Sequence, residues 1–270
     1  TMDYQIFKSD TRGGANHGWL NTRHSYSFSN YYDANRIHFG ALRVVNDDII
    51  TGGVGFGKHP HDNMEIITIP TKGGISHEDS MGNGSIIEAG DVQMMSAGTG
   101  VFHSEMNAYE NQEGHFFQIW IIPNKQNVEP RYQQISVREV AKENELYQVL
   151  SPNPDDQGVW VYQDAWIFLG NYSEDKLETY KVQKEGNGVF FMVVEGEVEF
   201  EGNKLTTTLK NASCEDIINE AYYLIRLKNT SNVLINGTSA SFILRSEANK
   251  DYECSKSKNK EIKLEVTFKN

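Results

Sequence analysis

Short apolar runs that alternate with polar positions, broken every few residues by glycine, asparagine or aspartate, dominate this chain. Long stretches with a 3.6-residue apolar period are scarce. Period-2 alternation places one side of a strand on a core and the other on solvent or a second layer, so the pattern predicts an antiparallel β protein with helix in the minority. In the first half it predicts strands over residues 41–45, 64–68, 85–88, 92–96 and 115–122. Asn46-Asp47-Asp48, Lys72-Gly73-Gly74, Met81-Gly82-Asn83-Gly84 and Ala89-Gly90-Asp91 read as the breaks between them. Beyond Pro123 the chain turns polar, and Ser136 with Glu139 at the capping-box position predicts one short helix. A Pro- and Asp-rich loop over 151–158 follows, and the connection between two domains is expected within 124–158. Strands resume over 159–163, 166–169, 177–182, 188–194 and 197–200, with a hairpin predicted to turn at Glu195-Gly196. Two β-rich halves of similar length suggest a duplicated, all-β architecture, with domains over 1–130 and 131–270.

The halves differ in chemistry. All eight histidines lie within the first 115 residues, so any centre that needs several imidazoles belongs to the first half. In the stretch KHPHDNME, His59 and His61 are two apart and therefore project from the same face of a strand; if that strand continues, Glu65 shares their parity. Pro60 between them removes one ladder donor, which suits a strand end or edge. A second pair, His103 and Glu105 in GTGVFHSE, follows a glycine-rich turn that permits close backbone approach. Two such pairs on separate strands can converge from opposite walls of one barrel. Three neutral imidazoles and a carboxylate suit iron, manganese, nickel, copper or zinc and leave positions open for substrate or water. The lack of thiolate ligands argues against a closed structural zinc site. Parity alone leaves Glu65 and Glu105 both open as the carboxylate.

The other candidates carry less. His77 reads either as a surface-turn histidine or as one that guides a substrate or a hydrogen bond behind a metal ligand, and His17, His24 and His38 read as structural. His115, on an apolar strand, reads as a satisfied core histidine. Met94, Met95, Phe56 and Phe102 read as the lining of an apolar pocket or as barrel core, and Asp91 as the residue that fixes a turn.

Charge narrows the class. A net charge of −12 and the absence of a lysine- or arginine-rich stripe exclude direct nucleic-acid binding, and the lysines of KSKNKEIK at 256–263 read as a solvated face. No run approaches the roughly 18 apolar residues of a membrane span. The segment TMDYQIFKSD lacks the basic and apolar regions of a secretion signal, so a cytoplasmic protein is expected. Cys214 and Cys254 form no CxxC motif.

The spacing Gly53-x5-His59-x-His61-x3-Glu65, followed by Gly73 and then by Gly90 to His103, resembles the two signature motifs of the cupin superfamily. A longer ordered series resembles the pirin family within it: GWLNTRHSYSFSNYYDANRIHFGALRVVNDD, GFGKHPHDNMEIITI, SHEDSMGNG and AGDVQMMSAGTGVFHSEMN. The series covers most of the first half. The second half is similar only generically, through VVEGEVEFEG. The resemblance implies two tandem cupin-type β-barrels with few short helices, the first (1–130) binding metal and the second (131–270) degenerate and metal-free, in a monomer. It implies His59, His61, His103 and Glu105 as ligands of a divalent metal ion, with Glu65 beside the site. Iron is the first candidate and manganese, nickel, copper and zinc the alternatives. It further implies a quercetin 2,3-dioxygenase-type oxygenase, in which Glu105 accepts a proton from a flavonol-like substrate that then reacts with O2 and releases carbon monoxide. The alternative it carries is a non-catalytic, iron redox-sensing regulator that acts through a protein partner.

Overall fold

Strands make up nearly all the regular structure of the computed structural model, as the alternation predicts. It describes residues 3–173 and 176–194, together with strands at 196–200, 203–207, 232–236, 239–246 and 262–267. Cys214, Cys254 and residues 256–261 of the lysine-rich run lie outside the described residues. Among the described residues no helix is long and apolar enough to cross a membrane.

The chain divides into two compact units. One comprises Arg12–Ala141 with Gln148–Phe168, and the other Thr1–Thr11, Lys142–Tyr147 and Leu169–Asn270. Strand β1 (Asp3–Phe7) belongs to the latter. The former contains β2 (Gly13–Asn16), β3 (Leu20–His24), β4 (Leu42–Ile50), β5 (Gly55–His61), β6 (Glu65–Lys72), β7 (Gly74–Asp79), β8 (Gly84–Glu88), β9 (Asp91–Ser96), β10 (Val101–Asn107), β11 (Gly114–Ile121) and β12 (Arg131–Ser136). These form a seven-stranded sheet in the order β12-β9-β6-β11-β4-β3-β2 and a four-stranded sheet in the order β5-β10-β7-β8. Leu20, Ile50 and Phe116 of the larger sheet pack with Ile75 and Ile87 of the smaller one, closing one end of the space between them. Ile66, Met95, Ala97 and Val101 pack together with Met64, Met81 and Trp120 in a second apolar cluster. A polar side chain buried in such an interior costs free energy unless it finds a partner.

Several local expectations give way to tertiary contacts. Asn46-Asp47-Asp48, expected as a break, lies in the middle of β4. All three side chains are buried and bound across the sheet: Asn46 accepts from His24 Nδ1 at 2.7 Å, Asp47 accepts from His115 Nε2 at 2.6 Å and from Arg12 at 3.0 Å, and Asp48 accepts from the Thr22 hydroxyl. The expected helix at Ser136 is a single 3-10 turn, Val137–Glu139, because the Ser136 side chain makes no cap bond. Strand β6 begins at Glu65 and runs on through Pro70 to Lys72.

The chain continues with β13 (Leu146–Ser151), β14 (Val159–Trp160), β15 (Ile167–Gly170), β16 (Lys176–Lys181), β17 (Gly188–Met192), β18 (Gly196–Phe200), β19 (Asn203–Thr207), β20 (Asn232–Asn236), β21 (Ser239–Ser246) and β22 (Ile262–Thr267). In the second unit one sheet has the order β1-β20-β17 and another β16-β21-β22-β18-β19. Strand β17 pairs with the distant β20, while β18 forms a local hairpin with β19 and also pairs with β22, so the predicted β17–β18 hairpin does not form. Its turn residue Glu195 lies outside the described residues.

Candidate metal centre

Strands β5 and β10 run antiparallel with His103 opposite His59 and Val101 opposite His61. A bulge between His103 and Glu105 moves the partner of β10 from His59 to Phe56. The pleat does what the i, i+2 spacing predicts, and the two strands carry their histidines to one place. The nitrogen ligand atoms of His59, His61 and His103 all lie within 4.8 Å of one another. Their ring centroids are 4.4 to 4.9 Å apart. The glycines before His103 earn their place through conformation: Gly98 has φ +47° and Gly100 φ +134°, and a Cβ on Gly98 would lie 2.1 Å from the Val128 carbonyl oxygen.

The protonation pattern suits ligation. His59 Nδ1 lies 2.7 Å from the Gly57 carbonyl, which can only accept, so Nδ1 donates and Nε2 is the nitrogen left for a ligand role. His103 is buried and neither ring nitrogen has a hydrogen-bond partner. Burial, followed by the neighbouring His59 and His77, pushes the His103 pKa down to about 3. Burial, followed by His103 and His59, pushes that of His61 down to about 4. Both imidazoles are thus neutral at physiological pH. Two orphaned nitrogens on one buried ring, converging with two further imidazoles, fit a divalent cation that accepts their lone pairs.

Glu105 projects into the same interior but is held by other groups. Its Oε2 accepts from the Gln118 amide at 2.7 Å and its Oε1 from the Thr68 hydroxyl at 3.2 Å. Gln118 Oε1 in turn accepts from the Trp120 indole N–H at 3.2 Å. The Trp120 ring packs edge-on against His61, with centroids 5.0 Å apart, and Phe28 packs edge-on against Trp120 at 5.4 Å. Asp48 has a buried Oδ1 without a partner. Burial, with smaller contributions from Asp47 and Glu105, raises its carboxyl to about 7 against the opposing effect of Thr22.

Glu65 does not share the parity of the two histidines. Strand β5 ends at His61, Asn63 turns the chain with φ +44°, and Glu65 opens β6. Its Oε2 accepts from the Ser96 hydroxyl at 2.8 Å and the Tyr162 N–H at 3.2 Å, on the side of the sheet opposite Ile66 and Thr68. Burial raises its pKa, partly offset by these two donors and by Arg131.

His77 is no surface-turn residue. It is fully buried, its Nε2–H donates to Asp79 at 3.0 Å, and its ring lies 5.4 Å from that of His103. Asp79 is itself held by the Met81 N–H and by Asn83. His17 and His38 are exposed, whereas His24 and His115 are buried and hydrogen-bonded. Burial would raise Asp47, but the His115 hydrogen bond and charge, together with Arg12, hold it below the usual carboxylate range. Of the proposed apolar lining, Met95 and Phe56 join the inner clusters, Met94 contacts Ser96 and Arg131, and Phe102 is exposed beside Lys58. Asp91 does fix its turn, accepting from the Glu88 N–H. Thr68, Gln118 and Trp120 escaped sequence reasoning. The available signal was a polar Thr or Gln at an inward position of an otherwise apolar strand.

Comparison with known proteins places these features in context. The family model described as Pirin matches residues 7–121, and that described as Quercetinase C-terminal cupin domain matches residues 148–235. The chain is similar to the quercetin 2,3-dioxygenase of Escherichia coli K12, at 43% identity over 201 residues, covering 74% of this chain and 85% of that protein. It is similar to a pirin-like protein of Caulobacter vibrioides at 38% identity over 197 residues, covering 73% and 84%. Among solved structures it resembles the Escherichia coli bacterial pirin YhhW in complex with nickel(II), with a TM-score of 0.74 and 34% identity over 89% of this chain and 93% of the other.

Proposed function

Because the chain belongs to the pirin family of the cupin superfamily, we propose that it is a metal-dependent oxygenase of the quercetin 2,3-dioxygenase type, acting on a flat, flavonol-like substrate with dioxygen. The observation that carries this reading is the convergence of three imidazoles within 4.8 Å on the strands that also bring Glu105 into the interior. His59, His61 and His103 would hold the ion, with Glu105 as the carboxylate partner. Iron is the first candidate by the family resemblance, and nickel is supported by the related nickel complex. When bound, the ion supplies Lewis-acid and redox chemistry at that point.

The remaining steps fall to this chain's own residues. Trp120 and Phe28 offer ring faces and edges beside His61 that would orient a flat aromatic substrate. Glu105 would accept the proton of the substrate's enolic hydroxyl on a carboxylate oxygen, and Thr68 and Gln118 hold that group in place. The apolar cluster around Ile66, Met95 and Val101 excludes water from the adjoining interior. Ring opening by dioxygen would then release carbon monoxide.

The test is aerobic incubation of iron-, manganese-, nickel- or copper-loaded protein with quercetin, following the loss of flavonol absorbance and the release of carbon monoxide. Turnover abolished by His61→Ala supports the reading. No turnover with any of these metals would refute it and leave the regulatory role as the working hypothesis.

A further inference from the structure

The amide of Gln118 sits between two groups of fixed polarity. The Trp120 indole N–H can only donate, and the Glu105 carboxylate, when ionised, can only accept. Gln118 must therefore turn its carbonyl oxygen to Trp120, at 3.2 Å, and its NH2 to Glu105 Oε2, at 2.7 Å. The chain Trp120–Gln118–Glu105 thus has one direction, and all its polar atoms lie among buried or half-buried groups. Without the indole N–H, the Gln118 amide is held at one end only, by Glu105 itself, and loses the contact that anchors it from outside the carboxylate.

We infer that Trp120 is a positioning residue for the metal centre: its N–H locks the Gln118 amide, and through that amide it fixes where the Glu105 carboxylate stands relative to the three imidazoles. The inference rests on the metal-site reading above. It gives Trp120 two separable functions. The ring contacts His61 and Phe28, while the N–H acts at a distance on Glu105. Thr68, which donates to the other carboxylate oxygen, holds Glu105 without being part of this chain of contacts.

Trp120→Phe keeps an aromatic side chain at this position while removing the donor together with part of the ring, and the cycle with Gln118→Leu isolates the part of the effect that runs through the donor. Gln118→Leu removes the whole connection. Nickel(II) affinity is read by calorimetry, and the ligand field at the site by the electron paramagnetic resonance spectrum of copper(II)-loaded protein, with circular dichroism to establish that each variant is folded. Outer partners of metal ligands typically contribute 10- to 100-fold to metal affinity. Gln118→Leu is expected to weaken nickel(II) binding by about that factor, and Trp120→Phe by roughly three- to tenfold, with both shifting the copper(II) spectrum. The double variant should be no weaker than Gln118→Leu alone, since both changes break one chain.

A Trp120→Phe protein identical to the parent in affinity and spectrum, or losses that simply add in the double variant, overturns the inference while leaving the metal site intact. A parent protein that binds no nickel(II), or binding that survives His103→Ala, overturns the metal-site reading and the inference with it. If Gln118→Leu does not fold, Gln118→Met replaces it in the cycle.

Discussion

Asp48→Asn should make the metal-free protein more stable, and increasingly so as the pH rises. The Asp48 carboxyl is buried on β4 with one oxygen unpartnered, and its pKa is raised from 3.8 to about 7. Each tenfold change in proton affinity is worth about 1.4 kcal/mol, so the ionised form costs the fold about 4 kcal/mol relative to the unfolded chain. Between pH 3.8 and about 7 the folded state keeps a proton that the unfolded chain has released. Stability therefore falls as the pH rises through that window and levels off above it. Asparagine keeps the shape and an oxygen for Thr22 but cannot ionise. Its advantage should be near zero at about pH 4 and approach about 4 kcal/mol at about pH 8. His61 and His103 contribute a slope of the opposite sign, but it is common to both proteins and cancels in the difference. All four tryptophans (Trp19, Trp120, Trp160 and Trp166) belong to the unit that contains Asp48, so urea unfolding followed by tryptophan fluorescence reports on that unit. A stability difference that does not vary with pH, or one that shrinks as the pH rises, would refute the assignment of a neutral carboxyl to the barrel interior.

Other consequences are open to direct measurement. Because His103 is held neutral with its pKa lowered to about 3, the metal-free fold loses stability as the pH falls below 6.5. His103→Asn should therefore flatten the acid limb of stability against pH, by on the order of 2 kcal/mol at about pH 5; an unchanged limb would count against the burial argument. Glu65→Ala leaves the Ser96 hydroxyl and the Tyr162 N–H without their acceptor and should cost about 2–4 kcal/mol in chemical denaturation. The conservative Glu65→Gln should retain nickel(II) affinity that Glu105→Gln reduces, and calorimetry showing the reverse would return Glu65 to the ligand set. Gly98→Ala forces a Cβ against the Val128 carbonyl oxygen at a left-handed position and should cost more than about 2 kcal/mol, visible as a lowered melting temperature.

Much of the candidate centre was legible because it depends on short-range geometry. The i, i+2 spacing of His59 with His61 and of His103 with Glu105 survives in β5 and β10 as a shared inward face. The same parity argument failed for Glu65 because it assumed one continuous strand where Asn63 turns the chain. The sequence left His77 open between a surface turn and a hydrogen-bonding role near the site, and the structure places it on β7 opposite Glu105 with its partner, Asp79, two residues on.

Alternation, the glycine turns and the confinement of histidine to the first half were enough by themselves to indicate an all-β chain and to place its candidate metal ligands. They suffice because pleat and turn conformation are set by a few neighbouring residues. Tertiary structure alone decided that Asn46-Asp47-Asp48 could run through the middle of a strand, that β17 and β18 would pair with different partners, and that Gln118 and Trp120 would reach Glu105. The first and last of these depend on buried polar groups meeting partners on other strands, and the second on a strand distant in the chain, so none is contained in a short segment taken alone.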